Sequence, residues 1–475
     1  MARLVIVANR VPNPDEQGNP RAGGLAVALG DVLVPGTIWL GWSGARAAVT
    51  STVPRIVEDR DVTYATIDLG EADYRSYYQG FSNGTLWPLL HMMPGLTTYH
   101  REDYIGYRGV NRAFAQALAA MVDADDLIWI HDYQLLTVAA ELRALGVQNR
   151  IGFFLHIPFA PPEIFEILPP AKEVLRALCA NDVIGFQTEG DRTAFLACIK
   201  ALLEIEPLPD GRFPIDGREV RTIVTPIGID SEGFSRLAGR AVLRAETRRM
   251  TESLVGRALM IGVDRLDYTK GLPGRFGAYE RFLASYPQHR RKISYLQIAA
   301  LSRSDVEHYD ELRNELSHKA GDINGAYSDF DWVPLRYMTR TASRTAIAGL
   351  YRVARIGLVT PLRDGMNLVA KEYVAAQNPA DPGVLILSRF AGAAAEMTEA
   401  VLVNPFDVDE VANAIHIALT MSDDERLSRH DALLAKVYSS SAEAYCTSFV
   451  AALRDVRGIP AIELRYGGST IKMRA

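Results

Sequence analysis

Cysteine, long apolar runs and an excess of one charge sign are all scarce in this 475-residue sequence. The three cysteines, Cys179, Cys198 and Cys446, leave one unpaired in any pairing and show no close metal-ligand spacing, so no disulfide framework is expected. No run approaches the roughly 18 apolar residues of a membrane span, and the apolar residues 3–8 are too few for a signal peptide. We therefore expect a cytoplasmic protein that is neither exported nor membrane-spanning.

Several classes of partner and enzyme are disfavoured by what is missing. The 51 Lys and Arg against 57 Asp and Glu give a net charge of −6, which argues against a nucleic-acid backbone or an anionic membrane as main partner. The sequence has no Gly-x-Ser-x-Gly, Walker-type or His-Glu-x-x-His motif, which disfavours lipase-like hydrolases, P-loop nucleotidases and zinc proteases. The Asp-x-Asp pairs at 123/125 and 407/409 precede a strand or cap a helix, so neither is expected to hold a metal–diphosphate complex.

What the sequence does contain is an alternation of short apolar runs, turns and longer segments with helical spacing. Repeated β-α units predict doubly wound parallel sheets covered by helices on both faces. The length suits two Rossmann-like α/β domains, 1–235 and 236–449, facing each other across a cleft, the second opening on a helical stretch at 236–254. The predicted strands are 4–8, 127–130, 151–155, 183–186, 222–225, 259–263, 293–299, 356–360, 384–387 and 401–403.

Ligands of such sheets bind beyond the carboxyl ends of the strands, where two cations follow a strand of the second half. Arg265 and Lys270 lie five residues apart on a strand-to-helix loop. Both could reach one polyanion such as a diphosphate, helped by the N–H groups of the following helix. The alternative is that both are solvated loop charges.

A second segment of this half places two carboxylates eight residues apart. On a continuous helix, Asp364 and Glu372 would lie on nearly one face, about two turns apart, and could hold two hydroxylated parts of one ligand. The alternative is that Asp364 caps a helix and Glu372 is a solvated helix residue.

The first half offers weaker signals at its strand ends. Arg10 and the paired glycines Gly23 and Gly24 follow the first strand, where glycine permits close approach of a phosphate. Asp132 and His156 each follow a strand, which places an acid and an imidazole at one edge of the sheet, although such a histidine is more often structural.

Aromatic residues are concentrated at 74–88, including Tyr77, Tyr78 and Trp87. They could line a sugar pocket by stacking, and core packing explains them equally well.

Together these segments resemble the trehalose-6-phosphate synthase family, retaining glycosyltransferases of the GT-B fold. The resemblance spans nearly the whole chain and rests on residues 7–10, 23–26, 39–44, 129–136, 152–159, 185–188, 265–271 and 361–375. It also implies that a helix within 450–475 crosses back to complete the first domain.

The resemblance implies a donor site for a UDP-sugar. Arg265 and Lys270 would bind its diphosphate, Glu372 its ribose, and the backbone around Gly24, Met366, Asn367 and Leu368 its phosphates. Asp364 and His156 would hold hydroxyls of the donor glucose, with His156 near the reacting carbon.

It implies an acceptor site as well. Asp132 and Trp87 would line the acceptor pocket. Arg10, Tyr78 and Arg303 would hold the phosphate of glucose 6-phosphate.

The implied reaction transfers glucose from UDP-glucose to glucose 6-phosphate with retention, giving α,α-trehalose 6-phosphate and UDP. The catalytic set would be His156, Asp132, Arg265, Lys270 and Asp364, with no obligatory metal and no other cofactor. The resemblance further implies a homo-oligomer, a dimer or tetramer, a separate phosphatase acting next, and a role in osmotic protection. Two alternatives stay open: a related transferase that uses glycerol 3-phosphate or a cyclitol phosphate as acceptor, and a catalytically silent protein that binds sugar phosphates.

Overall fold

The computed structural model describes residues 2–11, 35–301, 307–456, 464–466 and 469–471. Its strands are β1 Leu4–Arg10, β2 Ile38–Ala47, β3 Arg55–Asp59, β4 Val62–Gly70, β5 Leu127–His131, β6 Arg150–Phe154, β7 Val183–Phe186, β8 Arg212–Ile215, β9 Arg218–Val224, β10 Ala258–Arg265, β11 Ile293–Ala300, β12 Leu335–Met338, β13 Ile356–Val359, β14 Val384–Ser388, β15 Val401–Val403, β16 Leu464–Tyr466 and β17 Ser469–Ile471.

Helices connect most of these strands. The α-helices are α1 Glu71–Asp73, α2 Trp87–Leu90, α3 Arg101–Ala119, α4 Val138–Ala144, α5 Pro162–Phe165, α6 Ala171–Leu178, α7 Glu189–Leu203, α8 Ser231–Ala241, α9 Ala245–Leu254, α10 Leu272–Ser285, α11 Glu307–Tyr327, α12 Arg344–Val353, α13 Leu368–Ala376, α14 Val408–Thr420, α15 Asp423–Ser439 and α16 Ala442–Arg454. A π-helix, Tyr74–Leu86, joins α1 to α2, and 3₁₀ turns lie at Pro94–Leu96, Tyr133–Leu135, Tyr268–Lys270, Pro287–His289 and Gly392–Ala395.

The strands form two large sheets. The first has the order β3-β4-β2-β1-β5-β6-β7-β9-β8 and the second β12-β11-β10-β13-β14-β15. In the first sheet only the edge strands β3 and β8 pair antiparallel, and the second sheet is parallel throughout. All five residues of β5 are buried, as expected where helices cover both faces of a parallel sheet. Two parallel α/β sheets were predicted, and this prediction is confirmed.

Each predicted apolar run forms a strand, but β2, β3, β4, β8, β12 and the hairpin β16–β17 were not predicted. The β3–β4 turn is formed by Arg60 and Asp61, which adopt positive φ values of 48° and 62° without the glycine or asparagine that usually marks such a turn. The β8–β9 turn is Asp216–Gly217, a dipeptide typical of two-residue hairpins. The second hairpin therefore had a readable signal and the first did not.

The region between the sheets differs from the expected single helical stretch at 236–254. Two helices, α8 and α9, occupy it, because Arg244 adopts an extended backbone and starts the second one. The chain crosses from the first sheet after Val224 and returns before α16, and the two crossings pair at Ile229 and Ser441. The predicted boundary at 235 falls between the sheets and stays a prediction.

Helix α16 packs on the first sheet, against β6 and β7. The Phe449 ring stacks on Trp129 with centroids 4.5 Å apart. A Cβ at Gly152 or Gly185 would lie 2.6 or 2.8 Å from this ring, so both strands need glycine where the helix crosses. The helix starts before residue 450, and residues 457–463 lie outside the described residues.

Among the described residues, no helix combines the length and apolar character that crossing a membrane requires.

Candidate active site

Contacts between strand ends of the two sheets define a cleft. The Arg265 guanidinium, at the end of β10, lies 5.6 Å from the ring centroid of Trp87 in the first domain. The backbone at Gly365 packs so closely on the His156 carbonyl that a Cβ there would overlap the oxygen. Residues that follow β6 and β13 thus meet across the cleft. Ligands of such sheets bind at this place, beyond the carboxyl ends of the strands.

The two predicted cations both face this cleft. Lys270 ends the 3₁₀ turn after β10, and Asp267 caps that turn by accepting the Thr269 N–H at 3.0 Å. The Lys270 ammonium forms an ion pair with Asp364. Arg265 is exposed, whereas Lys270 is largely buried. The alternative of two solvated loop charges therefore fails for Lys270.

Asp364 lies on a loop and not on the helix. Its N–H donates to Phe390 at 3.2 Å, and its carbonyl accepts the Gly392 N–H at 3.0 Å. These bonds hold the loop extended, so α13 begins only at Leu368, and Asn367 occupies the N-cap position with a φ of 76°. Both the continuous-helix interpretation of Asp364 and its alternative as a helix cap are therefore wrong.

The surroundings of Asp364 keep it ionised. Burial acts to raise the pKa of Asp364, but the Lys270 charge and hydrogen bonds, including the 3.0 Å bond from Asn367, lower it below its ordinary value. A buried carboxylate in this state can accept hydrogen bonds from hydroxyl groups.

Glu372 has the opposite electrostatic surroundings. It lies on α13 and is half-buried, and burial raises its pKa to about 7, with Arg344 opposing this rise. A carboxylate with a perturbed pKa beside a cleft is typical of a ligand-binding group. The alternative of a solvated helix residue does not fit this burial.

Asp132 and His156 are joined directly. The Asp132 carboxylate accepts the His156 backbone N–H at 3.2 Å, and Asp132 adopts a φ of 75°, which is uncommon for this residue type and frequent at functional sites. The His156 Nε2 lies 3.0 Å from Nδ1 of His131. Burial lowers the pKa of His156 to about 3 and that of His131 well below its ordinary value, so both rings are neutral.

Two of the expected acceptor residues, Arg10 and Tyr78, lie beside one tryptophan that was not predicted as a site residue. The Arg10 guanidinium lies 5.6 Å from the Trp42 ring centroid, and the Tyr78 ring centroid lies 5.9 Å from it. Tyr78 also stacks on Tyr74, both in the π-helix. Such π-helical segments are rare and often lie at functional sites.

His91 is a further cleft residue without a signal in the sequence. Its Nδ1 lies 2.7 Å from the Trp87 carbonyl oxygen, and its ring lies 4.2 Å from the Trp87 ring centroid. Burial lowers the pKa of His91 to about 4, and the charges of Asp364 and Lys270 act on it. Only the folded chain brings it beside these residues.

The other predicted donor contacts surround Asn367. Met366 is buried, and its carbonyl accepts the Ala393 N–H at 2.8 Å. Leu368 opens α13, where the first N–H groups have no partner within the helix. Gly23, Gly24 and Arg303 lie outside the described residues.

In the ranges that the structure describes, no group of three or more His, Cys, Asp and Glu side chains is arranged to hold a metal ion.

Comparison with known proteins places this cleft in a family. The sequence model of glycosyltransferase family 20 matches residues 3–455. The chain belongs to glycosyltransferase family 20. It is 46% identical over 453 residues to a trehalose-6-phosphate synthase of Sinorhizobium fredii, covering 95% of this chain and 98% of the relative. The family resemblance predicted from the motifs is thus confirmed.

Two solved structures of similar chains carry sugar ligands. An α,α-trehalose-phosphate synthase (UDP-forming) of Burkholderia xenovorans, in complex with glucose-6-phosphate, is 44% identical with a TM-score of 0.92, covering 95% of this chain and 100% of that chain. An E. coli structure bound with UDP-2-fluoro glucose is 45% identical with a TM-score of 0.91, covering 96% and 100%. The predicted GT-B arrangement of this family 20 chain is confirmed.

Proposed function

We propose that this protein transfers glucose from UDP-glucose to glucose 6-phosphate with retention, forming α,α-trehalose 6-phosphate and UDP. The observation that carries the proposal is the cation pair of Lys270 and Arg265 beside the ionised Asp364, at the point where the two domains meet. The relatives named trehalose-6-phosphate synthase, and the two structures that hold glucose-6-phosphate and UDP-2-fluoro glucose, support these substrates.

The donor is assigned to the second domain. Lys270 and Arg265 bind the diphosphate and stabilise the negative charge that grows on it as it leaves. The α13 N-terminus, from Asn367, offers backbone N–H groups to the same phosphates. Glu372 accepts hydrogen bonds from the ribose hydroxyls.

The glucose unit of the donor lies between the domains. Asp364 accepts hydrogen bonds from its hydroxyls, and His156 lies near the reacting carbon. In a same-face reaction the departing diphosphate takes the proton of the acceptor hydroxyl, so no carboxylate nucleophile is needed. Closure of the cleft removes water and strengthens the attraction between the cations and the leaving group.

The acceptor is assigned to the first domain. Arg10 and Tyr78, which both contact Trp42, bind the phosphate of the acceptor. Arg303 supplies a second cation to this phosphate. Trp87 and Asp132 line the pocket of the sugar ring. Binding from both sides of the cleft would couple acceptor binding to closure.

We also propose that the transfer needs no metal ion, because two cationic side chains serve the leaving group where other transferases use a metal. We propose a homo-oligomer, a dimer or tetramer, located in the cytoplasm. The three cysteines, all described and none disulfide-bonded, suit a reducing compartment. A separate phosphatase would act on the product, in a pathway that serves osmotic protection.

The test is product formation by the pure, EDTA-treated protein. UDP-glucose is mixed with glucose 6-phosphate or glycerol 3-phosphate, and ADP- and GDP-glucose are run as alternative donors. We expect UDP release only with glucose 6-phosphate, and α,α-trehalose after phosphatase treatment. Transfer to glycerol 3-phosphate alone would replace the acceptor assignment, and binding of UDP-glucose without any transfer would favour a silent sugar-phosphate-binding protein.

A further inference from the structure

Gln187, the first residue after β7, makes two hydrogen bonds that fix its amide orientation. Its Oε1 accepts the Ile227 N–H at 2.9 Å, and its Nε2 lies 3.3 Å from His156 Nδ1. A backbone N–H can only donate, so the oxygen must face Ile227 and the NH₂ group must face His156. The side chain is 2% exposed, so water does not compete for these contacts.

This orientation determines where the imidazole protons are. An amide NH₂ can only donate, so His156 Nδ1 accepts and the proton of the neutral ring is on Nε2. That Nε2–H donates to His131 Nδ1 at 3.0 Å, which places the His131 proton on its own Nε2. Both ring nitrogens of His156 are thus engaged by protein partners.

Ile227, which lies where the chain crosses between the domains, is also bonded by a residue of the second domain. The Ile227 carbonyl accepts a hydrogen bond from the Lys371 ammonium at 2.9 Å, and Lys371 is fully buried beside Glu396, also at 2.9 Å. Lys371 immediately precedes Glu372 on α13. The backbone of Ile227 therefore connects the His156 ring to the helix that carries the expected ribose ligand.

We propose that Gln187 is a positioning residue of the transfer reaction: it fixes His156 as the neutral Nε2–H tautomer and ties its ring to the crossing between the domains at Ile227. The role in transfer rests on the proposed function. As the diphosphate leaves, positive charge develops on the sugar ring, and a neutral imidazole beside it causes no repulsion. Burial keeps the ring neutral, and Gln187 determines its tautomer, because the NH₂ group occupies Nδ1 and leaves the proton on Nε2.

Gln187→Glu tests this with little change in size. An ionised carboxylate still accepts the Ile227 N–H, but it can only accept from His156, so it favours a proton on Nδ1. We expect kcat to fall about tenfold or more, with KM for UDP-glucose within about twofold, as for an interaction that acts in the transition state. In ¹⁵N spectra of histidine-labelled protein without substrate, His156 Nδ1 should change from unprotonated to protonated.

Gln377→Glu is the matched control. Gln377 is also 2% exposed, and it bonds only backbone groups of the second domain, donating to Tyr351 at 2.6 Å and accepting from Gly383 at 2.8 Å. We expect it to lower the melting temperature, as a newly buried carboxylate does, without changing kcat or the His156 signals.

If Gln187→Glu does not fold, the wild-type spectrum still tests the protonation of His156 Nδ1. The His156 signals are assigned by their loss in His156→Gln. A protonated Nδ1 in the wild-type protein, or wild-type kcat in folded Gln187→Glu, would overturn the role of Gln187. Failure of the wild-type protein to transfer glucose would instead overturn the proposed function, and it would leave the tautomer assignment to the spectrum alone.

Discussion

Lys270 and Asp364 form an ion pair in the cleft, and this pairing decides how each responds to substitution. Lys270→Ala should cut kcat by about 10²-fold or more, by analogy with removal of a preorganised donor to a developing oxyanion. It also leaves the buried Asp364 without its cation, so the pKa of Asp364 should rise. The measurement is steady-state UDP release.

Lys270→Arg serves as the control, since it keeps the charge but not the ammonium geometry, and it should retain part of the activity. Wild-type turnover in Lys270→Ala would contradict the assignment of leaving-group stabilisation to this residue.

Glu372 is the residue at which binding and stability oppose each other. Its pKa of about 7 lies above the value in the unfolded chain, so the folded state binds more protons between about pH 4.5 and 7 and stability falls as pH rises through that range. Glu372→Gln should therefore raise the melting temperature by a few degrees at pH 8 and by less at pH 5. A larger gain in melting temperature at pH 5 than at pH 8 would contradict the raised pKa of Glu372.

The same substitution should weaken donor binding, because an amide offers one acceptor oxygen where the carboxylate offers two. KM for UDP-glucose should rise about tenfold or more at pH 8, with KM for glucose 6-phosphate unchanged. Thermal melts and initial rates on one set of buffers would measure both effects.

The loop 364–367 meets the end of β6 through Gly365. The conflict of an added methyl group is with the His156 carbonyl across the cleft. Gly365→Ala should thus hold the two strand ends apart and lower kcat/KM about tenfold or more, since small misplacements in a closed site cost that much.

Gly277→Ala on α10 is the matched control, because nothing lies within 4 Å of its added Cβ. It should leave kcat/KM unchanged and stabilise the helix by up to about 1 kcal/mol. Equal kcat/KM for the two variants would show that the Gly365 contact is not used in catalysis.

Helix α16 should be essential to the first sheet because of the Phe449–Trp129 stack. Phe449→Ala removes a fully buried ring and should lower the free energy of unfolding by about 3–5 kcal/mol. Gly152→Ala should cost about 1–3 kcal/mol by overfilling the same contact. Denaturant unfolding of Gly152→Ala, of Phe449→Leu and of the double variant that combines them should show costs that do not add, since the smaller leucine makes room for the methyl group.

Several buried histidines, distributed over both domains, make the fold sensitive to acid. Burial lowers the pKa of His91, His131, His156 and His430. Between about pH 6.5 and 4 the unfolded chain therefore binds more protons than the folded chain, and the stability of the fold decreases as the pH is lowered. Glu372, Asp103 and Asp191, whose pKa values are raised by burial, oppose this trend over their own ranges. The melting temperature should therefore drop by several degrees between pH 7.5 and 5.5.

His430 provides the check, because it lies on α15 away from the cleft and contacts the Val374 carbonyl at 3.2 Å. His430→Asn should flatten the slope of melting temperature against pH. An unchanged slope would mean that other groups control acid unfolding.

The parallel sheets were predictable because buried strands such as β5 are continuous apolar runs, and the strand ends then indicated Arg265, Lys270, Asp132 and His156. Other features have no local pattern. Gln187 follows its strand like any loop residue, and His91 lies in an apolar stretch. Only the folded chain joins Gln187 to Ile227 and brings His91 within reach of the charges of Asp364 and Lys270. The extended course at Asp364 depends on bonds to residues 390–392, which spacing from Glu372 could not indicate.

The docking of α16 has a consequence for how the chain is synthesised. Domains near the N-terminus usually fold while later residues are still being translated. Here the face of the first sheet around Trp129, Gly152 and Gly185 stays uncovered until residue 454 has left the ribosome. A nascent chain stalled after α15 would therefore expose this apolar face to other molecules in the cell.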